Sequence, residues 1–385
     1  MHLACLPGKI CYPFPVRAGI DRPEEYMRML EGKRTGAVLS PASVTSSGKP
    51  SADELIERAE ARAFFSLEHG LFGKEEAGKA VADELYKGVP VFSLYNGKGT
   101  VFPEEAISLI DVLVFDIQDL GLRFYTYIAS LMAVLKADLP FDILILDRPN
   151  PFGRRVLGAP LGKDELSFVG PAELPVMYSL TFGELALWYA WKEGLRLPGV
   201  VKLDNWDQGP WPLDRPWVPT SPAIRSYEAA FLYSGLCFVE GTNLSEGRGT
   251  GFPFQLIGAP FIDPEKLLDG FEAEGFSLEA AAFTPSTGKW AGETCHGVFI
   301  RALDYMADPV ALSVRLLSRV FSLFPEASFL PLIDKLMGKE GRKGILDGGE
   351  GLLSSWERKA GEFKRSLREY YIYRQEEGWT GKSSL

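Results

Sequence analysis

The chain has 385 residues, of which 46% are hydrophobic and 24% charged, and carries a formal charge of −10 at neutral pH. That length exceeds the size at which one core usually stops growing, so a large domain joined to a smaller one is expected. No apolar run approaches the roughly 18 residues that cross a bilayer, the composition is that of a globular protein, and an acidic surface without basic clusters argues against a nucleic-acid partner.

Cys5, Cys11, Cys237 and Cys295 form no Cys-x-x-Cys pair and are expected to be buried thiols rather than a disulfide framework. His2, His69 and His296 stand at no metal-ligand spacing, so neither a metal nor another cofactor is expected. The opening residues lack the charged and apolar regions of an export signal, and the chain as given reads as cytoplasmic.

In chain order, Pro23 at an early helical position opens a short helix, and Gly36–Ser40 follows as a strand. Ala63–Leu67 is the next strand and runs into Glu68-His69-Gly70; Val91–Tyr95 follows. Val112–Phe115 is an unbroken run of β-formers, as in a strand buried on both faces, and stops at Asp116, Gln118 and Asp119. A helix is expected over Phe124–Ala137. Phe141–Leu146 ends in Asp147-Arg148-Pro149-Asn150-Pro151, where each proline holds the preceding residue extended.

Thr181 and Glu184 form a capping box ahead of a helix that stops at Gly194, and Val200–Leu203 is a further strand. The Pro/Trp-rich run 209–219 reads as a long ordered loop. Leu236–Val239 is read as a seventh short strand, ending in Glu240 and a glycine-rich loop that carries Asn243, Ser245 and Arg248. Helices dominate the C-terminal part. The last carries Trp356, Ala360, Phe363, Leu367 and Tyr370 on one stripe. Alternating strands and helices predict an α/β fold with a mostly parallel sheet over 1–255, followed by a smaller α+β unit over 256–385.

Two glycine patterns fail on chemistry. Gly73–Ala80 resembles a phosphate loop but lacks the final hydroxyl and places Glu75 and Glu76 against phosphate; Gly247, Gly249 and Gly251 precede no helix. The acids are more informative. Glu68, Asp116, Asp119, Asp147 and Glu240 all follow strand-like runs, and in open α/β sheets ligands bind beyond the carboxyl ends of the strands. Acids gathered there can split their pKa values into a proton donor and an ionised partner, as glycosidic cleavage requires. The same acids paired with Arg123, Arg148 or Arg248 as structural ion pairs are the competing reading. Tyr95, Tyr125, Tyr127, Trp206, Trp211 and Trp217 would suit sugar rings, with two or three expected in a cleft.

The motifs Glu68-His69-Gly70, Phe115-Asp116-Ile117-Gln118-Asp119 through Arg123-Phe124-Tyr125, Asp147-Arg148-Pro149-Asn150-Pro151 and Glu240-Gly241-Thr242-Asn243 through Arg248-Gly249-Thr250 resemble, in order and nearly end to end, a bacterial family catalogued as DUF1343. Its characterised members are exo-β-N-acetylmuramidases of the NamZ type. The resemblance implies a Rossmann-like catalytic domain, an auxiliary domain and a site in the cleft between them that releases terminal N-acetylmuramic acid from peptidoglycan fragments. A non-catalytic protein binding the same amino sugars is the alternative. The family's favoured catalytic glutamate falls on Glu68. His69, Asp116 and Asp119 complete the expected catalytic set, and Gln118, Arg123, Tyr125, Asp147, Arg148, Asn150, Glu240, Asn243 and Arg248 the expected substrate-binding set. The chain departs from the family pattern at Leu67, Phe72, Tyr178 and Ala223, and the last three, where the family usually has Arg, His and Asn, bear on recognition of the acidic lactyl group.

Overall fold

The computed structural model describes residues 15–68, 70, 84–95, 100–212 and 215–373. In chain order the strands are β1 (Arg34–Leu39), β2 (Glu60–Ser66), β3 (Glu84–Tyr86), β4 (Val89–Ser93), β5 (Val112–Asp116), β6 (Asp142–Leu146), β7 (Val156–Leu157), β8 (Met177–Tyr178), β9 (Gly199–Val201), β10 (Leu256–Ala259), β11 (Phe276–Phe283) and β12 (Cys295–Ala302). The helices are α1 (Pro23–Leu30), α2 (Ser51–Arg58), α3 (Glu104–Ile107), α4 (Tyr127–Lys136), α5 (Phe182–Lys192), α6 (Tyr227–Leu236), α7 (Pro264–Leu268), α8 (Pro309–Leu323), α9 (Leu332–Met337), α10 (Glu340–Leu346) and α11 (Glu350–Ser366).

Seven strands form one sheet in the order β3-β4-β2-β1-β5-β6-β9, parallel except where β3 joins β4. Its apolar runs feed two cores because successive side chains point to opposite faces. On β5, Leu113 and Phe115 enter the larger core while Val112 and Val114 enter the smaller; on β2, Phe65 and Phe64 divide the same way. Tyr26 and Leu30 of α1 and Ala52 and Leu55 of α2 close the smaller core. On the other face α4, α5 and α6 pack together with the C-terminal elements.

The capping box forms as expected: the Thr181 hydroxyl accepts from the Glu184 amide (3.1 Å) and the Glu184 carboxylate from the Thr181 amide (3.0 Å). The run Leu236–Val239 is not a strand. It lies at the end of α6 and in a 3-10 turn over Cys237–Gly241, because Ser226 caps a helix already under way and a short apolar run fits a buried helix end as well as a strand.

β10, β12 and β11 form a separate antiparallel sheet, and α7 to α11 pack around it and against the main body. Two arginines tie these parts together through backbone carbonyls. Arg155 donates to Tyr305 and Ala307 (2.9 and 2.6 Å), and Arg123 reaches Leu336 at the end of α9 (2.5 Å). The stripe on the last helix packs inward, with Trp356, Ala360 and Leu367 buried. No helix among the described residues is long and apolar enough to cross a membrane.

Candidate functional site

Register brings the carboxyl ends of the central strands level: Leu39 pairs with Ser66 on one side and with Asp116 on the other. Glu68 therefore leaves the sheet edge two residues after β2, and there the chain borders a cleft of about 710 Å³. One wall is Glu68 with Phe124, Tyr125 and Thr126 just before α4; the other belongs to the loop from Glu240 to Phe254 and to Ser286–Gly288 between β11 and β12. The turn Ser221–Arg225 lines it as well. Among the described residues the carboxylates that line this cleft are Glu68 and Glu240.

Glu68 is 8% exposed, and its carboxylate accepts from the Thr126 hydroxyl at 2.5 Å. Thr126 stands at the start of α4 and makes no side-chain cap bond to it; its hydroxyl is given to Glu68 instead. Below it, the hydroxyls of Tyr125 and Tyr127 both donate to the Thr220 carbonyl (2.9 and 2.8 Å), which pins the floor to the Ser221 turn. Burial pushes the Tyr125 phenol well above its ordinary pKa, so it is a neutral donor. The floor is aromatic: Tyr233 packs against Phe254 (4.6 Å between centroids) and edge-on to Phe124 (5.1 Å). Such flat apolar surfaces suit the faces of a sugar ring.

Glu240 is held by Arg248, whose Nε and Nη2 both donate to one carboxylate oxygen (2.9 and 2.7 Å). Glu246 lies 3.5 Å from the same guanidinium. Burial alone would lower the Arg248 pKa, and the charge of Glu240 more than offsets it, so the net shift is upward. The Lys289 ammonium pairs with Glu246 (2.9 Å) and donates to the carbonyls of Val239, Thr242 and Leu244, which staples the loop to the β11–β12 connection. Gly249 permits this close approach. Its φ is +77°, and a β-carbon there would meet the Thr287 amide at 2.4 Å.

The other residues singled out in the sequence lie behind this cleft. Asp116 is fully buried in a two-pronged pair with Arg148 (2.6 and 2.8 Å), and Arg148 also donates to the Val44 carbonyl. Asp119 accepts from the Tyr178 hydroxyl and the Gly121 amide; burial pushes its carboxyl up to about 6. Asp147 accepts from Thr181, Gly183 and Tyr373, and burial likewise pushes it up to about 6. Gln118 donates to the carbonyls of Asp119 and Pro149, and Asn150 bridges Leu180 and Phe152. Asn243 is taken up by Glu326 and Ser328. Arg123 is 1% exposed and gives its guanidinium to the carbonyls of Ala159, Leu174 and Leu336 (2.7, 2.7 and 2.5 Å) instead of to a ligand space; burial pushes its pKa down to about 9. His69 and Phe72 lie outside the described residues.

Of the six aromatics expected near a sugar, Tyr125 lines the cleft. Trp211 and Trp217 pack on each other (5.2 Å) and Trp206 on Tyr373 (5.3 Å). The sequence reading missed Thr126, Tyr233, Phe254, Arg225 and Ser286–Gly288. Thr126 sits between two tyrosines already singled out and was within reach of that reading; Ser286–Gly288 carries no periodic signal. Among the described residues no group of three or more His, Cys, Asp or Glu side chains is arranged to hold a metal ion.

Family models described as exo-beta-N-acetylmuramidase NamZ match this chain over residues 35–228 for the N-terminal part and 231–373 for the C-terminal part. The chain is 37% identical over 383 residues to the peptidoglycan beta-N-acetylmuramidase NamZ of Bacillus subtilis (strain 168), covering 93% of this chain and 91% of that one. Among solved structures, two DUF1343 family proteins from Bacteroides fragilis NCTC 9343 share its fold. The first superposes with a TM-score of 0.81 at 29% identity, covering 93% of this chain and 99% of its own. The second gives 0.75 at 28%, covering 94% and 99%.

Proposed function

This chain belongs to the exo-β-N-acetylmuramidase NamZ family, and from that premise we propose that the cleft is the active site, with Glu68 as its proton donor and Glu240 as its second carboxylate. The protein is an exo-acting glycoside hydrolase that releases terminal N-acetylmuramic acid from peptidoglycan fragments. The observation that carries the site assignment is that Glu68 and Glu240 line one aromatic-floored cleft, while Asp116, Asp119 and Asp147 are enclosed behind it.

In this reading the non-reducing muramyl ring lies against the exposed edge of Tyr233, which Phe254 backs from beneath. Glu68, oriented by Thr126, passes its proton to the glycosidic oxygen as the bond from that oxygen to the anomeric carbon breaks. The alcohol leaves, and water supplies the hydroxyl that ends on the anomeric carbon and the proton that restores Glu68. Glu240, positioned by Arg248, serves the developing positive charge at the ring. Proton donation of this kind contributes about 10²–10⁴-fold to rate.

The test is release of a chromogenic aglycone from a β-N-acetylmuramide. Glu68→Gln keeps the shape and the Thr126 contact but removes the proton, so turnover of a substrate with a poor leaving group is expected to fall by about 10²–10⁴ while binding persists. An unchanged rate would take the role away from Glu68. No release by the wild type from any amino-sugar glycoside would favour the binding-protein alternative. The anomer formed first, read by NMR, reports whether the configuration is kept or inverted.

A further inference from the structure

We infer that Arg225 reads the lactyl carboxylate of the substrate and so sets the preference for muramic acid over glucosamine, an assignment that rests on the proposed amino-sugar site. Muramic acid differs from glucosamine by an ether-linked lactyl group that adds one negative charge. Arg248 in the cleft is already paired with Glu240, so an entering carboxylate is met by a cation whose donors are not already taken.

Among the described residues two arginines line the cleft, Arg248 and Arg225. Arg248 is committed: Glu240 takes two of its donors, and Glu246 stands 3.5 Å away. Arg225 differs on both counts. It is exposed, its Nε is tied to the Pro222 carbonyl (2.9 Å), and among the described residues its two terminal nitrogens have no carboxylate within ion-pair distance. The fork that remains is the geometry a carboxylate accepts.

The backbone around it is fixed, which gives the fork a defined place. The Ile224 amide closes a turn onto the Ser221 carbonyl (3.1 Å), the Trp217 indole donates to the Ile224 carbonyl (3.3 Å), and Ser226 begins α6. The turn is anchored to the site floor through Thr220, the acceptor of both tyrosine hydroxyls. Ala223, two residues before Arg225, also lines the cleft.

The experiment pairs two substrates and two ligands with the wild type, Arg225→Met and Arg225→Lys. On chromogenic β-N-acetylmuramide, Arg225→Met is expected to lose about 10-fold in kcat/KM, mainly through KM, with the β-N-acetylglucosaminide rate unchanged; Arg225→Lys retains part of the preference because it keeps the charge without the fork. Added salt narrows the wild-type preference, since the group is exposed. Calorimetric titration with free N-acetylmuramic acid and N-acetylglucosamine repeats the comparison without turnover. If the wild type hydrolyses neither glycoside but the variant selectively loses N-acetylmuramic acid binding, the enzymatic reading of the cleft fails and the Arg225 assignment stands. An unchanged ratio of the two substrates and of the two ligands in Arg225→Met overturns the assignment, as does equal loss on both.

Discussion

Replacing Arg123 with Met separates a structural arginine from a ligand-binding one. Its guanidinium joins three carbonyls contributed by Ala159, Leu174 and Leu336, the last of them in the C-terminal part of the chain. Methionine fills much of the space and donates nothing. Each buried acceptor left unsatisfied costs about 1–3 kcal/mol, so the gross loss is about 3–9 kcal/mol. Part of this is returned because the variant no longer buries a charge, a cost visible in the depression of the Arg123 pKa to about 9. A net destabilisation of about 3 kcal/mol is expected, the lower end of the gross range. Urea denaturation should show it as a lower midpoint, and the folded fraction should hydrolyse muramide and glucosaminide in the wild-type ratio. A variant with an unshifted midpoint and a selective loss on muramide would refute the reasoning and make Arg123 a reader of the lactyl group.

Arg248→Met removes the group that positions Glu240, so kcat should fall on muramide and glucosaminide alike, by about 10-fold or more for the loss of charged hydrogen bonds; a loss confined to muramide would make Arg248 a substrate ligand instead. Asp119→Asn tests the buried carboxyl. With a folded pKa raised to about 6 from an ordinary 3.8, Asp119 contributes stability that is fully present below about pH 4 and lost as pH rises through about 6. The Asn variant lacks that slope, so its melting temperature should rise relative to the wild type between pH 4 and 8, by the equivalent of about 2–3 kcal/mol; a constant difference across that range would contradict the assignment.

The sheet was legible because its strands are continuous β-branched and aromatic runs, and a run with no polar positions has to be covered on both faces. The same criterion misread Leu236–Val239. There the run is short enough for a helix end, and what decides is Ser226 ten residues earlier, whose hydroxyl accepts from the Ala229 amide and commits the segment to α6. Strand ends gave Glu68, Asp116, Asp119 and Asp147 their positions after sheet strands but could not rank them, and Glu240 comes from a 3-10 turn instead. Asp116 is the last residue of β5 and Glu68 lies two residues beyond β2, on either side of β1; Glu68 borders the cleft, and Asp116 is enclosed by Arg148, supplied from 32 residues further along the chain.

Arginines make the same point more sharply. Arg123, Arg148 and Arg248 all follow strand-like runs and stand in motifs rich in acids and amides, and nothing local distinguishes them. Their roles follow from acceptors that only the fold assembles. Three carbonyls from separate segments consume Arg123, the Asp116 carboxylate and the Val44 carbonyl consume Arg148, and Glu240 with Glu246 consumes Arg248. Buried donors have to be satisfied, so an arginine surrounded early by acceptors becomes framework, whatever motif it sits in. Arg225 carried no motif signal because it lies in a turn rather than at a strand end. The turn offers its Nε one carbonyl, from Pro222, and among the described residues no carboxylate pairs with its terminal nitrogens, at a position that lines the cleft.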